Sequence, residues 1–123
     1  MKQELNEIEI NGVKYVKKGS ENAKAETFAG MEYVIVRTYS AGVHAGYLES
    51  KDVRVCVLRK SRRIWYWDGA ASLSQLSVDG TSKPENCKFP CEVDKIELTE
   101  AIEYIPCTEK ARKSIQGVNI WEK

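Results

Sequence analysis

The pattern of hydrophobic and polar positions divides the chain into a short N-terminal unit and a longer β-rich unit. Residues 8–15 alternate between apolar and polar side chains on either side of Asn11-Gly12. An Asn-Gly pair between two alternating segments favours a β-hairpin, because both turn residues accept positive φ angles. A stretch of small and polar residues follows. We therefore predict an N-terminal hairpin and polar linker over residues 1–30 and a β-rich core domain over residues 31–123.

The first half of the core domain contains three segments dominated by β-branched and aromatic residues, and each is predicted to be a strand. They cover residues 32–39, 52–59 and 63–67. Residues 40–46 carry two glycines and are predicted to form a loop, with strand pairing resumed at residues 47–50. Residues 60–62 are predicted to form the turn before the aromatic strand.

The second half of the core domain opens with a helix signal. Leu73 and Leu76 are spaced for one face of a short helix, which Ser72 is expected to cap and Gly80 to end. Residues 81–94 contain two of the chain's three prolines and are predicted to form a loop.

The C-terminal part returns to a strand pattern. Residues 96–105 are predicted to form a strand with a break at Thr99 and Glu100, and residues 108–117 a short helix capped by Thr108. Short strands with one or two short helices indicate an α+β fold, a small antiparallel β-rich domain whose sheet forms a partly open barrel.

The balance of charged residues limits the kinds of molecule that the protein is expected to bind. The chain has 123 residues, with 19 Lys and Arg against 18 Asp and Glu, and a formal net charge of +1. A protein that coats DNA needs an excess of cations to displace counterions, so the balance argues against that class, and equally against an acidic DNA mimic. The cations concentrate in residues 54–63, which contain no acid, so a small bound anion stays compatible with the charge. No apolar run is long enough to span a membrane, and no signal-peptide pattern is present.

The four cysteines allow three interpretations. With no export signal, we expect a cytosolic protein whose thiols stay reduced. Three residues separate Cys87 from Cys91, where zinc ribbons usually have two. A zinc site would have to recruit Cys56 and Cys107 from distant elements, whereas the alternative is that the thiols serve as small hydrophobic residues. A cysteine nucleophile would need His44, the single histidine, as its base.

The first candidate site is the glycine-bracketed loop of residues 40–46, which follows Arg37 and contains His44. Small residues let backbone N–H groups approach an anion closely. An imidazole can donate to a phosphate or stack on a base. The loop has neither the GxxxxGK[ST] nor the GxGxxG spacing. The alternative is a wide hairpin loop whose glycines satisfy the backbone angles.

The second candidate combines cations with aromatic residues. Arg59, Arg62 and Arg63 precede Trp65 and Trp67, which strand alternation would place on one face. Guanidinium groups suit phosphates and indole faces suit bases. The alternatives are a turn with solvated cations and covered aromatic faces, or an oligomer interface.

The third candidate is the start of the predicted helix near Ser72, where unpaired N–H groups favour an anion. The alternative is an ordinary capped helix. The sequence contains no paired carboxylates that fix a site and none of the common enzyme motifs, such as HExxH or GxSxG. We therefore expect no enzymatic activity, no metal and no cofactor.

Three segments, residues 37–50, 62–77 and 91–121, resemble a family of small proteins encoded by tailed phages and prophages, which carries a domain-of-unknown-function label. The resemblance covers about residues 32–121. It implies a phage gene product made in the host cytoplasm, and it assigns no binding residue. Small non-structural phage proteins often counter host defence, by blocking an immune protein or by sequestering a signalling nucleotide.

Together these observations lead to the hypothesis of a non-enzymatic sponge for a small anionic nucleotide, which blunts host antiviral defence and works as a homo-oligomer. The expected ligand-binding residues are Arg37, His44, Tyr47, Arg59, Arg62, Arg63, Trp65, Trp67 and Ser72. Two alternatives stay open. One is an inhibitor that binds a host defence protein through exposed aromatic residues, and the other is a module for single-stranded nucleic acid.

Overall fold

A computed structural model describes residues 23–122, so the predicted N-terminal hairpin lies outside the described residues. The sheet consists of β1 (Glu32–Thr38), β2 (Val43–Asp52), β3 (Val55–Arg63), β4 (Val93–Leu98) and β5 (Ala101–Pro106). All pairings are antiparallel, in the order β4-β3-β2-β1-β5. Two helices, α1 (Leu73–Asp79) and α2 (Glu109–Gly117), and a 3-10 turn at Pro84–Asn86 complete the described part. The predicted fold class, a strand-rich α+β domain with an open sheet, is confirmed.

The sheet is strongly curled, and the connection between β4 and β5 shows why. These strands lie at opposite edges, four strand spacings or about 19 Å apart in a flat sheet. Only Thr99 and Glu100 separate them along the chain, a span of at most about 11 Å. The edges are therefore drawn together at this point, where the Ala101 amide donates to the Arg54 carbonyl at 2.9 Å. The predicted break at Thr99 and Glu100 is confirmed, since β4 pairs with β3 whereas β5 pairs with β1.

Two turn predictions in the first half are corrected. β2 begins at Val43, so the reversal after β1 is shorter than the predicted loop of residues 40–46. The predicted turn at residues 60–62 is wrong, because β3 continues through them to Arg63. Val53, with a φ of 56°, lies in the actual turn between β2 and β3. Lys60 has a φ of 50°, and the register shift beside it marks a bulge that bends β3 without reversing it.

The two faces of the sheet bury separate cores. The face toward the helices packs residues such as Tyr33, Ile35, Leu76, Phe89 and Ile115. The inner face of the curled sheet packs Val34, Val36, Cys56, Leu58, Leu98 and Ala101. Because both faces of β1 are covered, its sequence is a continuous apolar run rather than an alternating one.

The predicted helix signals are confirmed at both helices. The Ser72 hydroxyl accepts from the Gln75 amide at 3.2 Å, and Gly80 ends α1 with a φ of 74°. The Thr108 hydroxyl accepts from the Ala111 amide at 3.1 Å and caps α2. Within residues 23–122, no helix has the length and apolar character needed to cross a membrane.

Residues 23–30 pack against the core domain through backbone contacts. The Ala25 amide donates to the Cys107 carbonyl at 3.1 Å, and the Glu109 amide donates to the Ala23 carbonyl at 2.8 Å. This segment therefore adds a rim along β5 and the start of α2. The boundary predicted at residue 30 stays a prediction.

Candidate ligand-binding groove

A surface groove of about 430 Å³ lies at the end of β3, beside the turn that connects β1 to β2. Its lining consists of three turn residues, two aliphatic residues, one arginine and two indoles: Ser40, Ala41, Gly42, Val43, Ile64, Arg63, Trp65 and Trp67. Parts of the first and second predicted sites therefore meet in one place, since the antiparallel pairing of β2 with β3 sets His44 opposite Arg63.

The turn at the rim of the groove is held by Thr38. Its hydroxyl donates to the Gly42 carbonyl at 2.7 Å and accepts from the Ala41 amide at 2.8 Å. Gly42 has a φ of 85°, a conformation that favours glycine. The turn is thus a preformed wall of small residues that leaves space for a ligand.

Arg63 supplies the positive charge of the groove. The residue is exposed, and its Nη1 donates to the Ala41 carbonyl at 2.6 Å. Among residues 23–122 the Arg63 side chain makes no other hydrogen bond, so most of its N–H groups stay open to solvent. A guanidinium anchored at one corner and open at the other is suited to an anionic group.

The aromatic wall is built from Trp65 and Trp67, which follow β3 rather than belong to it. Trp67 donates from Nε1 to the Ala70 carbonyl at 3.2 Å. Trp65 is 58% exposed and stacks on Trp121, with ring centroids 5.1 Å apart and planes 15° apart. The Lys88 ammonium lies 5.4 Å from the Trp65 ring and 5.7 Å from the Trp121 ring.

Trp121 is the residue that sequence reasoning missed. It reaches Trp65 because Trp121 donates its amide to the Phe89 carbonyl at 3.0 Å, while Tyr66 pairs with Lys88. Both pairings join segments far apart in the chain, so no local pattern marks them. The only available signal was a large aromatic residue in the segment after the last helix.

Arg62 lies on the opposite side of β3 and does not enter the groove. It is 4% exposed, and it donates to the carbonyls of Pro90, Ile115, Val118 and Phe89 at 2.7–3.1 Å. Burial lowers the pKa of this guanidinium. Its donors are taken by the backbone, so the structure gives Arg62 an internal connecting position.

Two further candidate arginines are engaged in surface ion pairs. Arg37 donates from Nε to Glu103 at 2.8 Å. Arg59 contacts Glu49 and Asp94, each at 3.1 Å. Neither lines the groove.

Tyr47 and Ser72 also lie outside the groove. The Tyr47 ring is buried against Tyr33, with centroids 5.0 Å apart, and its hydroxyl accepts from Gln116 at 3.2 Å. Ser72 caps α1, whose seven residues form too short a helix for an anion site of its own. Of the nine predicted residues, the groove therefore brings together Arg63, Trp65 and Trp67.

His44 lies behind the groove on the inner face of the sheet and is fully buried. Its Nε2 is 3.0 Å from the Ala41 carbonyl, so the imidazole supports the same turn that Arg63 contacts. Burial, and to a smaller extent the charge of Arg63, lowers the pKa of this imidazole. The neutral form of the ring is therefore favoured behind the cationic groove.

The described cysteines are dispersed. Cys56, Cys87 and Cys107 are buried, Cys91 is exposed, and all four are free thiols. Within residues 23–122 no cluster of three or more His, Cys, Asp or Glu side chains could hold a metal ion. No cysteine is among the described residues that line the groove, and the chemistry of the groove comes from the donors of Arg63 and the rings of Trp65 and Trp67.

Comparison with known proteins gives one assignment. Residues 31–115 match the model of a domain of unknown function, DUF6948. Searches of curated proteins and of solved structures found no match. The matched residues include the whole sheet, both segments that form the groove and most of α2. Since they make up more than half of the chain, this protein belongs to the DUF6948 family.

Proposed function

We propose that the protein is a non-enzymatic binding protein for a small anionic nucleotide, which it holds in the groove beside Arg63. The observation that carries this proposal is the meeting of one open guanidinium, two indoles and a wall of small residues around about 430 Å³. That volume falls within the range of about 300–1,000 Å³ that is typical of small-molecule sites.

Each part of the groove has a role in this proposal. The open N–H groups of Arg63 bind a phosphate, because a planar guanidinium can donate two parallel hydrogen bonds to it. The exposed face of Trp65 and the edge of Trp67 contact a base. The glycine turn lets the ligand approach the backbone closely. No step requires bond making, so tight binding without turnover is the expected behaviour.

The biological setting that we propose is counter-defence. The resemblance to small phage and prophage proteins supports a phage-encoded protein that acts in the host cytoplasm by sequestering a nucleotide immune signal. The groove is open on one side, so a second copy of the chain placed over it would enclose the ligand. We therefore expect a homo-oligomer whose sites lie between protomers.

The direct test is isothermal titration calorimetry of the full chain with cyclic dinucleotides, cyclic trinucleotides and ADP-ribose derivatives. At least one ligand should bind, and Arg63→Ala should weaken it by about 10–100-fold, because a hydrogen bond to a charged group contributes about 1.5–3 kcal/mol. Arg54→Ala, an exposed arginine just before β3, is the matched control and should leave binding unchanged. Absence of heat across the panel, or equal losses in both variants, contradicts the proposal.

A complementary test uses the ligand that cells supply. Protein purified from bacteria that carry nucleotide-signalling defence systems is heated, and the released small molecules are analysed by mass spectrometry. A nucleotide released from the wild type and lost in Trp65→Ala supports the proposal. Release of the same nucleotide in equal amount from Trp65→Ala contradicts the assignment of the groove.

A second candidate function is protein binding through the aromatic patch, which we define as Trp65, Tyr66, Ile120 and Trp121. Tyr66 is 49% exposed and Ile120 is 55% exposed. A further depression of about 420 Å³, lined partly by Ile120 and Trp121, borders the patch. Exposed aromatic side chains of this kind act as anchors at protein interfaces.

Trp121→Ala separates the two functions. Trp121 belongs to the patch and does not line the groove. Protein binding predicts that Trp121→Ala and Trp65→Ala abolish capture of a host defence protein equally. Nucleotide binding predicts a larger loss of ligand affinity for Trp65→Ala than for Trp121→Ala. Steeply salt-dependent binding of a single-stranded oligonucleotide would instead favour the nucleic-acid alternative.

A further inference from the structure

Behind the groove, the mouth of the curled sheet contains a smaller cavity of about 150 Å³, here called the inner cavity. Its lining combines four polar or ionisable side chains with three apolar ones: His44, Ser61, Arg63, Cys91, Pro90, Val93 and Ile96. The bulge at Lys60 explains this grouping, because it sets Ser61 on the same face of β3 as Leu58 and Arg63. Arg63 borders both the groove and the inner cavity.

Two buried polar atoms at the inner cavity lack partners. His44 is fully buried and Ser61 is 2% exposed, and neither Nδ1 of His44 nor Oγ of Ser61 has a hydrogen-bond partner among residues 23–122. A buried polar group without a partner costs about 1–3 kcal/mol. Native proteins rarely leave two such groups at one cavity, so each one calls for an explanation.

The tautomer of His44 follows from its one contact. A backbone carbonyl can only accept, so Nε2 must donate its proton to the Ala41 carbonyl. Burial and, to a smaller extent, the nearby Arg63 charge lower the pKa of the ring and favour its neutral form. Nδ1 therefore presents a lone pair, which needs a hydrogen-bond donor. The Ser61 hydroxyl can donate or accept, and so it complements either group on a ligand.

The size and walls of the inner cavity favour a ring over water alone. A cavity of about 150 Å³ holds one six-membered ring, whereas the same space would take several waters at about 30 Å³ each. Each buried water needs two to four polar partners, and the walls from Pro90, Val93 and Ile96 supply none through their side chains. Apolar walls with a few convergent polar atoms are typical of ligand sites.

We propose that the inner cavity is a second binding site, specific for a small planar heterocycle that presents an N–H donor beside a hydrogen-bond acceptor, as on the pairing edge of a pyrimidine. Both polar atoms are covered in the structure, so binding turns the Ser61 side chain and the His44 ring slightly toward the cavity. The N–H group then donates to Nδ1 of His44, and the adjacent acceptor receives the Ser61 hydroxyl. This site is separate from the nucleotide groove and does not depend on it, although Arg63 is common to both.

The single histidine makes the test direct. The ¹⁵N signals of His44 are recorded by NMR while free cytosine is added to the full chain. We expect a saturable shift of the Nδ1 signal, because its lone pair gains a hydrogen bond. Pyridine at a pH where it is neutral has the same ring size but no N–H donor, and it should leave the signal unchanged. No shift with cytosine, or an equal shift with pyridine, overturns the proposal.

Variants locate the site. Ser61→Ala should weaken cytosine binding by about tenfold, the loss expected for one hydrogen bond of about 1.4 kcal/mol. It removes an unpartnered hydroxyl, so thermal unfolding should show a fold that is unimpaired. Ser50→Ala, an exposed serine on β2, is the matched control and should bind as the wild type does. Equal binding by Ser61→Ala and Ser50→Ala overturns the assignment.

Trp65→Ala distinguishes this proposal from the previous one. Trp65 lines the groove and not the inner cavity. The Nδ1 response to cytosine should therefore survive in Trp65→Ala, even if nucleotide binding at the groove is lost or never existed. Loss of the Nδ1 response in this variant would show that cytosine stacks in the groove, and the inner cavity would then hold only water.

Discussion

Arg62 and Arg63 are neighbours at the end of β3, yet they belong to opposite regions of the molecule. Strand alternation sends Arg62 to the helix side of the sheet and Arg63 to the groove. Arg62 is 4% exposed and donates to four backbone carbonyls, whereas Arg63 is exposed and donates to one. The helix side therefore uses an arginine as an internal connector, while the groove keeps one available for a partner.

The carbonyls around Arg62 explain how a charge is tolerated there without a carboxylate. The Ile115 carbonyl belongs to the last turn of α2, where the helix dipole is negative, and the Val118 carbonyl follows directly. The guanidinium also lies over the Phe89 ring, 5.5 Å from its centroid. Arg62 thus joins β3 to the end of α2 and to the loop that carries Phe89 and Pro90.

The largest expected effect comes from Arg62→Ala. This change removes four hydrogen bonds and leaves the Pro90 and Val118 carbonyls without a donor among residues 23–122, while the Phe89 and Ile115 carbonyls keep a backbone amide. It also empties the buried space that the guanidinium fills, so we expect the free energy of unfolding to fall by about 3–5 kcal/mol. Urea denaturation measures the loss. Arg63→Ala is the adjacent control and should change stability by less than about 0.5 kcal/mol, because its site is exposed.

If Arg62→Ala does not fold, Arg62→Lys still allows the stability losses at positions 62 and 63 to be compared. Lysine keeps the charge but cannot donate along four directions at once, so its stability should lie between that of the wild type and that of Arg62→Ala. Similar stability losses from substitution of Arg62 and of Arg63 would contradict the conclusion that Arg62 connects the interior while Arg63 is open to a partner.

The second effect concerns the bulge at Lys60, which sets the face of the sheet that each of the two arginines occupies. A Cβ added to Gly46 would lie 3.0 Å from the Ser61 Cα and 3.1 Å from the Arg59 carbonyl. Gly46→Ala should therefore push β2 from β3 and destabilise the fold by about 1–3 kcal/mol. Gly117→Ala is the control, because a Cβ there meets nothing within 4 Å. In thermal unfolding it should be neutral or slightly stabilising.

A third arginine gives the smallest effect and sharpens the contrast with Arg62. Arg112 donates from Nε to Glu109 at 2.9 Å, and Glu109 also accepts from the Glu26 amide at 2.7 Å. Arg112 lowers the pKa of Glu109 from 4.5 to about 2. Between pH 4.5 and about 2, Glu109 is protonated in the unfolded chain but still ionised in the folded chain. The stabilisation is therefore fully present above pH 4.5 and is lost as the pH falls toward 2.

Glu109→Gln tests that sign. The difference in unfolding free energy between wild type and Glu109→Gln should be largest above pH 4.5 and should shrink as the pH falls below it. The carbonyls around Arg62 do not titrate in this range, so the cost of Arg62→Ala should persist at low pH. A Glu109→Gln difference that stays constant from pH 6 to pH 2.5 would show that the ion pair does not contribute.

Local signals in the sequence were sufficient for much of the fold. The apolar run of β1, the caps Ser72 and Thr108, and the break at Thr99 and Glu100 all depend on residues close together in the chain. So does the α+β class, which follows from the succession of short strands and helices. These features were predictable because each is determined by backbone preferences within a few residues.

The turns around β3 show where local signals mislead. Lys60, Ser61 and Arg62 have the polar character of a turn, and they do disturb the strand, but pairing with β2 and β4 on both sides keeps the chain extended. The reversal falls instead beside Val53, whose side chain is 88% exposed. Tertiary pairing therefore overrides a turn composition when both edges of a strand are occupied.

The sequence by itself determined the supply of groups: arginines and indoles close together, a glycine turn before them, and one histidine. Only the tertiary structure decided their use. It turned Arg62 inward and left Arg63 open, and it brought Trp121 onto Trp65 from a distant segment. It also placed His44 and Ser61 at one cavity. Each of these depends on contacts between distant segments, and the curl of the sheet that creates them is a property of all five strands together.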